Sequence, residues 1–159
     1  MIVLLVFLSF VAVVGLAASQ GNPTAEWQKS KHSNRDLAVL DATVENRGDT
    51  AAHCARCHSE QGFKIYAAQL LKGDFGFIKG PDGKNATQEY MKTIGLTKDQ
   101  IQPITCIACH GDGFALRIQN NIPMLPAGFG VTAVGKGTLC MACHNTRNGR
   151  IQWDAADPK

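Results

Sequence analysis

Residues 54–58, 106–110 and 140–144 read CARCH, CIACH and CMACH. Each block has two cysteines three positions apart and a histidine immediately after, and together the blocks use all 6 cysteines of the chain. The spacing carries a chemical meaning. Thiols so placed reach the two vinyl groups on one edge of a haem, and the next histidine turns its imidazole to the iron from one face. The blocks therefore predict three covalently bound haem c groups. Cys54 and Cys57 attach the first, with His58 as proximal ligand. Cys106, Cys109 and His110 hold the second, and Cys140, Cys143 and His144 the third. Other uses of the cysteines fit less well. Three disulfides in an exported chain would not require a histidine after every pair. Zinc would gather C-x-x-C pairs two by two and leave one block over.

The rest of the chain agrees with an exported cofactor protein. From Ile2 to Ala18 the sequence is apolar and uncharged, broken only by Ser9 and Gly15, and Ala17, Ala18 and Ser19 resemble a cleavage site. Residues 1–19 read as a signal peptide, with a retained membrane anchor as the alternative. Residues 20–159 then form one trihaem cytochrome c domain, secreted to the cell surface or beyond, otherwise periplasmic. Long apolar-periodic segments are scarce, so a core made of side chains alone would be thin. Flat, largely apolar porphyrins would supply the missing core. The fold expected is mostly irregular with a few short α-helices, the haems serving as its centre. The formal charge of +3 comes from basic residues scattered singly. That pattern gives neither a nucleic-acid footprint nor a polybasic membrane patch.

Local signals place a helix over 59–74 stopped by Gly73, and a second over 86–96 capped by Thr87 and ended by Gly95. Residues 97–102 open with a T-x-x-Q capping box and lead through Pro103 into the second block. Residues 73–85 read as a loop or hairpin, and the Pro/Gly-rich stretch 120–138 as irregular.

A low-spin haem iron takes two axial ligands. The chain has 5 histidines, and the blocks use three of them as proximal ligands. His32 and His53 remain as distal candidates. His53 adjoins Cys54 and is badly placed for the iron of its own block, so HCARCH at 53–58 would bind one haem and cap a neighbour. Three sources remain open for the sixth ligand. Met124 could bind through its thioether, the position could be open to a small substrate, or the ligand could come from a neighbouring subunit or from chain beyond Lys159. The closing run DAADPK contains no obvious structural element and favours the last source.

The stretches SKHSNR (30–35), CARCHSEQGF (54–63), CIACHGDG (106–113) and GKGTLCMACHNTRNGRI (135–151) resemble the secreted multihaem cytochromes that polymerise into extracellular filaments. The resemblance covers roughly residues 27–152. It implies bis-histidine haems stacked in a continuous chain, with subunits joined end to end and a histidine of one capping a haem of the next. Carried over by position, His32 and His53 match distal ligands, and His58, His110 and His144 match proximal ones. Better-known members carry four or more haems and a distal histidine after the block that is last here. Electron transfer without substrate turnover is the function expected, with redox partner proteins and further copies of the chain as partners. A multihaem oxidoreductase with one open haem and a monomeric periplasmic shuttle are the alternatives.

Overall fold

A computed structural model describes residues 21–145, so the expected leader and the closing run lie outside the described residues. The chain divides into two units between Ser33 and Asn34. In the first unit, helix α1 spans Pro23–Lys29. Asn22 caps it by accepting from the amides of Thr24 and Ala25, and Pro23 takes the first position, where a missing N–H costs nothing. A 3-10 turn, Lys31–Ser33, carries His32, which is exposed.

The second unit holds α2 (Arg35–Ala42), α3 (Val44–Arg47), α4 (Ala51–His58), α5 (Glu60–Leu70), α6 (Gln88–Thr93), α7 (Cys106–Cys109) and α8 (Gly137–Met141), with 3-10 turns at Gly48–Thr50 and Asp112–Phe114. Isolated antiparallel bridges join Lys79 to Asn85, His110 to Leu116 and Ile122 to Val131, and no strand occurs among the described residues. Short helices and irregular chain therefore make up the fold.

Alanine builds the first core. Ala38 and Ala42 of α2 and Ala51, Ala52 and Ala55 of α4 are all essentially inaccessible, joined by Ile78, Met91, Leu96 and Ile101. Small side chains on both helices allow close approach. The chain then turns sharply at Ser59, whose extended backbone ends α4 and caps α5. Its hydroxyl donates to the Ala55 carbonyl at 2.9 Å and accepts from the Gly62 amide at 3.1 Å. Helix α5 lies so close to α4 that a Cβ on Gly62 would stand 2.3 Å from the Ala55 carbonyl oxygen. The second core forms around Phe63, Tyr66, Ala67 and Leu70 of α5, with Ala108, Ile118, Ile122, Leu125, Leu139 and Ala142. The first turn of α5 also holds the approach to α7. The Glu60 amide donates to the Gln102 carbonyl at 3.1 Å, and its buried carboxylate accepts from the Thr105 hydroxyl.

Two expected helices are present but shorter. That over 59–74 runs from Glu60 to Leu70, and Gly73 follows at φ +80°. That over 86–96 runs from Gln88 to Thr93, with Thr87 capping the Tyr90 amide and Gly95 at φ +81°. Residues 97–102 make only a turn, with Ile101 donating to the Thr97 carbonyl. Pro103 lacks an amide hydrogen and restricts the residue before it, which prevents the turn from propagating. Segment 73–85 makes the hairpin-like bridge between Lys79 and Asn85, and most of 120–138 is irregular. Helices α2 and α4 were not signalled by apolar periodicity, because the faces they bury are largely alanine, and α3 is a single turn that buries only Val44.

The Gly62 contact yields a test. Gly62→Ala should lower the unfolding free energy by about 1–3 kcal/mol, the usual cost of overpacking a tight contact. Urea denaturation would measure the loss, with Gly137→Ala as a comparison at an exposed glycine whose added Cβ would meet nothing nearer than 3.6 Å.

Candidate cofactor-attachment sites

Each block lies on, or at the end of, a helical turn. Helix α4 contains all of 53–58, so Cys54 and Cys57 fall on one face. In the second block α7 covers both cysteines, and the His110 amide closes the turn on the Cys106 carbonyl at 2.9 Å. In the third, the His144 amide makes the same bond to the Cys140 carbonyl at 2.8 Å. Cys106 and Cys140 are exposed and the other four thiols half-buried, with no disulfide among them.

Two of the block histidines have a defined partner at Nδ1. In His110 that nitrogen lies 2.6 Å from the Phe114 carbonyl oxygen, which can only accept. The neutral ring then carries its proton on Nδ1, and Nε2 keeps the lone pair that a metal needs. The carbonyl is aimed by an unusual backbone: Gly113 and Phe114 sit at φ +64° and +61°. A bulky residue rarely adopts that region. In His58, Nδ1 lies 3.4 Å from Oδ2 of Asp41, a carboxylate delivered by α2, whose Oδ1 pairs with Arg47. Asp41 carries no local sequence signal, and only the packing of α2 on α4 reveals it.

The fold brings the blocks together through the third. A cleft of about 120 Å³ is lined by Cys54, Arg56, Cys57 and His58 of the first block, by His53 just before it, and by Cys143 and Asn145. A hydrogen bond with Cys57, together with burial, pushes the Cys143 thiol well above the ordinary range. On the other side, burial pushes the Cys109 thiol up, and the neighbouring Cys140 and Cys106 add to the effect. Cys143 lines the cleft with the first block, and Ala142 and Cys143 share a buried cluster with Ala108 and Cys109, so the third block borders both of the others.

His53 faces this cleft from α4, edge-on to Phe77 with ring centroids 5.2 Å apart. Its Nε2 stands 3.3 Å from Nη2 of Arg56 and must be the acceptor there, because a guanidinium only donates. Arg56 is 5% exposed. Its Nη1 donates to the carbonyls of Phe75 and Gly76 at 2.6 and 3.0 Å, and its guanidinium lies 5.2 Å from the centre of the Tyr66 ring. Burial raises the Tyr66 phenol far above its usual range and outweighs the opposing pull of Arg56, so the phenol stays neutral. Met124 is half-buried on the irregular stretch, and His144 is exposed.

The donor set fits haem c. Each block offers two thiols along one turn and an imidazole directly after. Large apolar side chains also stand exposed beside the second block, Ile107 at 51% and Phe114 at 75%, a surface suited to a porphyrin face. No group of three or more His, Cys, Asp or Glu among the described residues is gathered as a bare metal ion would need. A haem iron makes a smaller demand, because the porphyrin supplies four ligands and the chain only the axial ones. No helix among the described residues is long and apolar enough to cross a membrane. Comparison with protein-family models, curated proteins and solved structures finds no match for this chain.

The unequal thiols predict unequal reactivity. In chain made without haem attachment, Cys106 and Cys140 should be alkylated faster at pH 8 than Cys109 and Cys143, whose raised pKa and burial leave less accessible thiolate. The gap should narrow as pH rises through the range where the shifted thiols ionise. Peptide mass mapping over a time course of iodoacetamide labelling would check this.

Proposed function

We propose that the chain is a trihaem c-type cytochrome that transfers electrons and does not turn over a substrate. The observation that carries this reading is the position of the third block, whose Cys143 lines one cleft with Cys54, Cys57 and His58 and packs with Cys109 against one buried cluster. Cys54 and Cys57, Cys106 and Cys109, and Cys140 and Cys143 would form the thioethers, and His58, His110 and His144 would be the proximal ligands. When bound, a haem c iron exchanges one electron between Fe(III) and Fe(II).

The chain's own residues would do the rest. The neighbouring thiols would fix the attachment edges at short range, in the spatial order first, third, second rather than the order of sequence. The Phe114 carbonyl and the Asp41 carboxylate would hold Nδ1 of His110 and His58, leaving Nε2 as the ligating nitrogen. His53, facing the cleft shared with Cys143, would cap a neighbouring haem once Arg56 releases its Nε2. His32 would be the second distal ligand. The remaining axial position would fall to Met124 or to a residue of a neighbouring subunit in a secreted filament. Electrons would enter from a redox partner protein and leave to another or to the next copy of the chain.

The experiment begins with secreted protein made by a host that attaches haem c. A pyridine haemochrome assay should give three haems per chain, and Cys→Ser replacement of both cysteines in any one block should remove one. Removing the third haem should leave two magnetically isolated irons in the EPR spectrum, whereas removing the first or second should leave a coupled pair. A chain with no covalent haem would sink the reading, and equal coupling in all three two-haem variants would sink the order.

A further inference from the structure

We propose that Asp41 is a positioning residue that sets the reduction potential of the haem held by the first block, acting through His58 and balanced by Arg47. The inference rests on the haem reading above and extends it to residues outside the attachment motifs.

The two Nδ1 contacts differ in charge. His110 meets a neutral carbonyl, that of Phe114, at 2.6 Å. His58 meets an anion, Oδ2 of Asp41, at 3.4 Å. A carboxylate on the far nitrogen of a ligating imidazole orients the ring and raises its basicity. It also favours the oxidised iron, which carries one more positive charge than the reduced iron. Both effects lower the reduction potential, and hydrogen bonding beyond the axial ligand is one of the levers by which a protein tunes haem.

Asp41 is not a chance surface charge. It lies near the end of α2, the helix whose Ala38 and Ala42 belong to the same buried cluster as Ala51, Ala52 and Ala55 of α4. Only 20% of its side chain is accessible. Its other oxygen is paired with Arg47, which also donates from Nε to the Leu40 carbonyl at 3.1 Å. The carboxylate thus has one oxygen on a cation and the other on the imidazole, and Arg47 tempers the negative charge that His58 experiences. The two members of this bridge should therefore move the potential in opposite directions, which a purely structural role would not do.

The test is a spectropotentiometric titration of the full, haem-loaded chain, resolved into three one-electron components. Asp41→Asn keeps the shape and removes the charge. It should raise one component by about tenfold in its equilibrium constant, equivalent to about 59 mV for one electron, and leave the other two in place. Arg47→Gln should lower that same component. The proposal is overturned if Asp41→Asn leaves all three components unmoved, or if both substitutions shift one the same way. Should the Asn variant lose its first haem, Arg47→Gln decides alone, and no downward shift would overturn it. A wild-type chain without covalent haem would sink the underlying reading. A loaded chain whose potentials ignore Asp41 and Arg47 would sink only this inference.

Discussion

Gly62 packs onto the carbonyl of Ala55 where no Cβ fits, and the Ser59 hydroxyl bonds to both residues. This corner folds α5 back along α4, and the other contacts of the second unit depend on it. Helix α4 carries the first cysteine block. Helix α5 also carries Phe63, Tyr66 and Leu70, which share one buried cluster with Ala108 of the second block, Ala142 of the third and Leu139 just before it. A side chain at position 62 would push apart the elements that bring the blocks within reach of one another.

The polar interior has a similar economy. Arg56 is an almost fully buried cation, and isolated buried charge is costly. Two backbone carbonyls, the His53 ring nitrogen and the face of Tyr66 surround its guanidinium. These contacts pin the loop after α5 to α4, and so fix one wall of the cleft that the first and third blocks share. They also hold His53 in the tautomer with Nε2 as acceptor, the nitrogen a distal ligand would use. Arg56 and His53 sit three residues apart on one helix, so the same turn that spaces the cysteines spaces this pair.

Much of the candidate chemistry was legible before the fold, because C-x-x-C-H is a local pattern and one helical turn realises it. Thr87, Gly73 and Gly95 were also readable, since capping and positive φ are decided by a few neighbouring atoms. Helices α2 to α4 were not. The buried faces of α2 and α4 are largely alanine, which gives weak contrast in any apolar periodicity and gains from close approach rather than from burying large side chains, and α3 is one turn with a single buried residue, Val44. Asp41 was invisible for a different reason. Nothing around it signals a role, and its meaning appears only when α2 lies against α4. The same holds for the Phe114 carbonyl, which a strained turn and not a residue type delivers to His110.

On the proposed reading, these non-local contacts make the three sites inequivalent. The third block borders each of the others, so in the proposed order the first and second would form the ends of the array. At one end the proximal imidazole faces a carboxylate bridged to Arg47, and at the other it faces a neutral carbonyl. Taken alone, that difference makes the first site the harder to reduce. The buried Arg56 beside the first block acts in the opposite sense, because a nearby cation favours the reduced iron. Arg56 is i+2 from Cys54 and belongs to the attachment motif, whereas Asp41 belongs to a separate helix. On that reading, α2 would tune the first site without disturbing the turn that would attach its cofactor.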